Sequence, residues 1–127
     1  MRRYWTLLVG VALAQGVLAQ DKLDKAVQVS VNNGVISVSP DPANMTKKHH
    51  KIVWSLATPG FSFAEDGIVI EGDRTDYGEC GKRGNSTTVY VCKKLKHINK
   101  KQFKYDVNLI NSNGQRISLD PRIVNVD

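Results

Sequence analysis

The apolar and polar positions of this chain alternate in short runs with a period of two. Val27, Val29 and Val31 are interleaved with Gln28, Ser30 and Asn32, the pattern of a strand with one buried face. Asn32-Asn33-Gly34 predicts a hairpin turn, because Asn and Gly tolerate positive φ, and Ile36 and Val38 carry the returning strand. Pro40-Asp41-Pro42 ends that strand, since proline has no N–H to give a ladder. Ala43 to Lys51 reads as a polar, basic loop. Ile52, Trp54 and Leu56 form the next inward face, and Thr58-Pro59-Gly60 turns the chain. Phe61 and Phe63 follow, then Ile68 and Ile70 beyond a turn at Asp66-Gly67. Glu71 to Asn85 reads as a long glycine-rich loop. Val89 and Val91 mark the strand that carries Cys92, and Lys93 to Lys101 reads as a second basic loop. The most regular alternation sets Phe103, Tyr105, Val107 and Leu109 against Lys104, Asp106 and Asn108. Asn111-Ser112-Asn113-Gly114 predicts another hairpin turn. Ile117 and Leu119 return, Asp120-Pro121 interrupts, and Ile123 and Val124 close the pattern.

No segment after the first twenty or so residues repeats its apolar positions at 3.6, and Asp21 to Val27 supports at most a short helical turn. About seven or eight short strands with regularly spaced turns predict an all-β protein, an antiparallel Greek-key β-sandwich. The segments 40–51 and 71–87 are long enough to cross between its sheets. Trp54, Phe61, Phe63, Phe103 and Tyr105 are its expected core aromatics.

The N-terminus departs from this pattern. Arg2 and Arg3 precede an apolar run from Leu7 to Leu18, and Val17 and Ala19 stand where a signal peptidase requires small residues. Residues 1–19 are read as a signal peptide and 20–127 as a single β-sandwich domain, periplasmic or secreted and monomeric. The apolar run holds about 12 residues, against roughly 20 needed to span a bilayer. Cleavage removes Arg2 and Arg3 and lowers the formal net charge from +6 to +4. Export also places Cys80 and Cys92 in an oxidising compartment, where they are expected to pair. A bridge closing a loop of about a dozen residues is worth on the order of 3 kcal/mol through the entropy of the unfolded chain.

Lys51-Ile52-Val53-Trp54-Ser55-Leu56, Asp66-Gly67-Ile68, Phe103-Lys104-Tyr105-Asp106-Val107 and Asp120-Pro121-Arg122-Ile123-Val124 follow one another in the order aromatic strand, glycine turn, aromatic strand and terminal Asp-Pro strand. Over roughly residues 50 to 127 this resembles small exported bacterial β-sandwich proteins of cupredoxin-like or immunoglobulin-like type. The resemblance rests on framework residues, so it implies a fold more than an activity.

Charge supplies the leading candidate for function. Lys47, Lys48 and Lys51 surround His49 and His50, and Lys93, Lys94, Lys96, Lys100, Lys101 and Lys104 surround His97. If both segments lie at one end of a sandwich, they form a single cationic patch for an anionic lipid, a polysaccharide or an acidic protein. Nucleic acid is not expected, since stacking platforms are confined to Tyr77 and Tyr90, and Tyr90 lies on a strand. The alternative is copper. The spacing of Cys92 and His97 is similar to the C-terminal ligand loop of cupredoxins, with His49 or His50 as the upstream ligand. Against it, Lys101 falls near the axial position, lysines flank the loop, and a Cys92 paired with Cys80 is no thiolate. Asp66, Asp73, Asp76 and Glu79 read as turn formers rather than an acid–base pair. Neither a nucleophile elbow nor a phosphate-binding glycine loop is present. No catalysis and no cofactor are therefore expected. Asn44-Met45-Thr46 and Asn85-Ser86-Thr87 fit the glycosylation sequon, which matters only in a eukaryotic secretory path; the resemblance to bacterial proteins implies that both are chance matches.

Overall fold

A computed structural model describes residues 23–72 and 74–127, so the leader expected over 1–19 lies outside the described residues. Ten strands occupy the described chain: β1 (Asp24–Asn32), β2 (Val35–Ser39), β3 (Ala43–Met45), β4 (Lys51–Leu56), β5 (Phe61–Ile70), β6 (Tyr77–Lys82), β7 (Val89–Lys94), β8 (Gln102–Asn111), β9 (Arg116–Leu119) and β10 (Arg122–Asn125). They form a β-sandwich. One sheet runs β2-β1-β4-β7-β6, and the other runs β3-β10-β8-β5 with β9 also beside β8. The segment 40–51 crosses between sheets twice, and 71–76 crosses once.

The sheets are mixed rather than purely antiparallel, because β1 pairs with β4 and β10 with β3 in parallel. The strands outnumber the seven or eight expected for local reasons. β3 is three residues long and follows two prolines, too short for alternation to show. β6 carries Gly78 and Gly81 where apolar side chains would mark a strand. The Asp21–Val27 segment is extended from Asp24 onward, drawn into β1 by pairing with β4. β9 and β10 are one run split at Asp120-Pro121. Leu119 faces Val107 and Arg122 faces Lys104 in a single register along β8. Within the gap, Tyr105 N donates to Pro121 O at 3.0 Å, a bond proline cannot return.

The core lies between the sheets, with Trp54, Tyr105, Phe63, Met45, Ile52 and Leu109 among its largest fully buried side chains. Trp54 and Tyr105 meet across it with ring centroids 5.4 Å apart, and Trp54 Nε1 donates to Tyr105 Oη at 3.2 Å. Burial pushes the Tyr105 hydroxyl up to about 12, against the opposing effect of that bond. Tyr77 and Tyr90 are core residues too, 4% and 3% exposed, which removes both as stacking platforms. Phe61 is half-buried at the margin.

Asp66-Gly67 does not turn the chain. β5 runs on through it, with four residues (Ala64 to Gly67) facing the single Asn108 of β8 as an enlarged β-bulge. Asn108, expected on the outer face, is instead buried beneath the bulge. Its amide donates to Asp66 O at 2.7 Å, and its carbonyl oxygen accepts Ser118 Oγ at 2.7 Å. Arg116 grips Asp66 by two bonds of 2.9 and 2.8 Å and holds its carboxyl below the usual range.

Cys80 and Cys92 form a disulfide between β6 and β7, adjacent strands of one sheet. An immunoglobulin-type bridge joins the two sheets instead. The bridge sits at a bulge, where Glu79 takes a φ of 50° and the register slips between Gly78 and Gly81. Ladder bonds resume beyond it, so the hairpin is held by its backbone as well as by the bridge. The replacement Cys80→Ala with Cys92→Ala is expected to lower stability by about 2–3 kcal/mol, because the bridge restricts the unfolded chain whatever the native ladder does. Urea unfolding with and without reductant checks this. The native protein should lose that amount on reduction, and the variant should be indifferent to reductant.

Candidate anion-binding site

The ladder that builds the core sheet also gathers the basic segments. Ile52 faces Cys92 in the core, so the next pair outward sets Lys51 directly opposite Lys93. One residue further, Lys94 N donates to His50 O at 2.9 Å, and His50 N donates to Leu23 O at 2.8 Å. The two segments, more than forty positions apart in the sequence, thus meet at one end of the sandwich. Leu23, Lys47, His50, Lys51, Lys93 and Lys94 line an open groove there of about 500 Å³. Correcting the sequence reading, Lys51, Lys93 and Lys94 are strand residues, not loop residues, because β4 pairs with β7 as far as Lys51 and Lys93, and β6 pairs with β7 as far as Lys94.

Of the nine lysines in these segments, Lys104 lies within β8 opposite Arg122, and the other eight, expected to act together, have different surroundings. Lys94 is structural. Its ammonium donates to Thr46 O at 2.8 Å and Lys47 O at 3.3 Å, closing the 46–50 loop, and burial lowers its pKa. Lys101 pairs with Asp76 at 2.6 Å and lies 5.2 Å from the centre of the Phe103 ring. Lys51 reaches Asp24 at 3.9 Å in a partly exposed pair, and Lys93 reaches Glu79 at 3.3 Å in an exposed one of little energetic weight. Lys47, Lys48, Lys96 and Lys100 are exposed and carry no side-chain bond among the described residues.

Two buried residues fix the 95–101 loop: Asp76, expected as a turn former, and Asn125, which no sequence pattern singled out. Asp76 accepts Leu95 N at 2.8 Å and Lys96 N at 3.2 Å on its backbone oxygen. Asn125 accepts Tyr77 Oη at 2.8 Å, donates its amide to Ile98 O at 3.0 Å, and exchanges backbone bonds with Lys100 and Lys101. Burial and, after it, the Asp76 charge push the Tyr77 hydroxyl well above its usual pKa. The loop is therefore a shaped surface, not a loose lysine tail.

Three of the four candidate metal ligands are engaged otherwise, and the fourth, His50, is exposed. The Cys92 sulfur is bonded to Cys80. His97 Nδ1 accepts from Lys94 Nζ at 3.1 Å, which leaves Nε2–H to donate to Val126 O at 3.0 Å. His49 Nδ1 accepts from Thr46 N at 3.0 Å. Among the described residues, no three His, Cys, Asp or Glu side chains are grouped to hold a metal ion. A blue-copper centre would lack its thiolate here. No helix of the described residues is long and apolar enough to cross a membrane. Comparison with protein-family models and with curated proteins finds no match.

Proposed function

We propose that this chain is a non-enzymatic binding module of the cell envelope that contacts an anionic partner through its lysine-rich end. The observation that carries the reading is the direct opposition of Lys51 and Lys93 in the sheet, with Lys47 in the same groove and the exposed Lys48 and Lys96 on the adjoining segments. Like charges facing each other across strands oppose folding, so stability alone gives no reason to collect them. Asp24 and Glu79 offset that pair and leave the outer lysines uncompensated. A partner with several fixed negative charges would neutralise them and release counterions.

Retention on immobilised heparin, a soluble sulfated polyanion held on a support, tests this. The purified protein should be retained at physiological salt and elute as salt rises. The variant Lys47→Ser, Lys48→Ser, Lys96→Ser should lose about tenfold or more in affinity while melting as the parent does. Retention unchanged in that variant would refute the role of this end.

A further inference from the structure

We infer that the anionic partner is a lipid surface, met end-on by the 95–101 loop with Leu95, Ile98 and Leu23 entering the headgroup layer. This deepens the proposed function and rests on it. Large apolar side chains are exposed at five described positions, and three of these lie at the lysine-rich end: Leu23 at 56%, Leu95 at 50% and Ile98 at 40%. The loop reads Lys94-Leu95-Lys96-His97-Ile98, basic and apolar residues interleaved. A polysaccharide or an acidic protein would reward the lysines and leave the leucines in water. A bilayer interface rewards both, since the apolar groups reach the acyl boundary while lysines sit among phosphates.

The placement is built rather than incidental. Leu95 and Lys96 are tied through their N–H groups to buried Asp76, and Ile98 is tied through its carbonyl to buried Asn125. The backbone is therefore fixed with these side chains outward, so little ordering cost is added on docking. Leu95 lies along β6, with Cδ1 3.0 Å from where a Cβ on Gly78 would stand, and half its surface still faces solvent. The opposite end is different in kind. Its turns at 33–34, 57–60, 83–88 and 112–115 hold Arg83 as their single charged residue. Charge is thus polarised to the lysine-rich end, and three of the five exposed large apolar side chains lie there with it, against the isolated Val35 beside the 33–34 turn, which fits a molecule standing on a surface by one end.

The test is co-sedimentation with vesicles of phosphatidylcholine alone and of phosphatidylcholine with phosphatidylglycerol, run beside retention on heparin. Binding should require the anionic lipid. Ile98→Ser, at an exposed position that spares the fold, should weaken vesicle binding about threefold to tenfold and leave heparin retention unchanged. Ile98→Trp in a Trp5→Phe background supplies a second readout, because the remaining Trp54 is fully buried and will not report. Its emission should shift to the blue with anionic vesicles and be quenched by brominated acyl chains. Retention on heparin with no vesicle binding, or vesicle binding equal in Ile98→Ser with no blue shift in Ile98→Trp, overturns the lipid inference and leaves the proposed function standing. Binding to neither support overturns both.

Discussion

Lys101→Ala should destabilise the protein by about 3 kcal/mol or more, although Lys101 is a partly exposed lysine among many. The reason is what it leaves behind. Asp76 is 1% exposed, its Oδ2 accepts the Lys101 ammonium at 2.6 Å, and its Oδ1 has no hydrogen-bond partner among the described residues. Removing the ammonium strands a carboxylate in the core beneath the loop it organises. The opposite truncation should be milder, about 1–2 kcal/mol, because Lys101 has 38% of its side chain exposed and can turn its charge to water. Lys101→Met separates charge from packing, since it keeps the stem beside the Phe103 ring. It should cost nearly as much as Lys101→Ala if the stranded carboxylate dominates. Urea unfolding of the three variants decides the matter. A loss below about 1 kcal/mol for Lys101→Ala, or a larger loss for Asp76→Ala, would refute the asymmetry.

That pair also shows where sequence reasoning stops. Strands such as β4 and β8 are legible because they cross the sandwich with one face inward, and burial imposes the period of two on their residues. The lysine clusters are legible for the same kind of reason, being dense in sequence. Their union at one end is not, because it depends on β4 pairing with β7, a contact between distant segments. Asp76 and Asn125 lie outside every local pattern. Each looks like a turn or terminal polar residue until tertiary structure buries it against Lys101, Tyr77 and the backbone of the 95–101 loop. Asn108 misled in the opposite way. It occupies a regular outward position of the alternation, and only the bulge opposite, invisible to a period-two reading, turns that position into a buried one. The exposed Leu95 and Ile98 broke the polar character of a basic loop in plain view, yet their meaning depends on knowing that neither side chain joins the core.

Gly67→Ala is expected to cost about 3 kcal/mol, the upper part of the range for adding one methyl to a packed site. A Cβ on Gly67 would stand 2.9 Å from Phe63 Cβ and 2.9 Å from Cδ2 and Cε2 of the Tyr90 ring. Such contacts are relieved cheaply only where a neighbour can swing away, and neither neighbour can. Phe63 is 1% exposed and ordered by its register with Leu109. The Tyr90 ring is held at both ends: its backbone pairs with Trp54 in the sheet, and its hydroxyl donates to Glu65 O at 2.7 Å within the same bulge. The bulge cannot retreat either, because Asn108 and Arg116 grip Asp66 from the other side. The glycine thus marks a close approach of β5 to the Tyr90 ring of β7 in the other sheet, and its missing side chain is what lets Tyr90 lie over the bulge. A double-mutant cycle isolates that contact. Tyr90→Ala should be strongly destabilising alone, by about 3–5 kcal/mol as for other large buried rings, but in its background Gly67→Ala should cost at least about 1 kcal/mol less than in the parent. Additive losses in the cycle would mean that the ring does not set the requirement for glycine, and that the clash with Phe63 alone sets it.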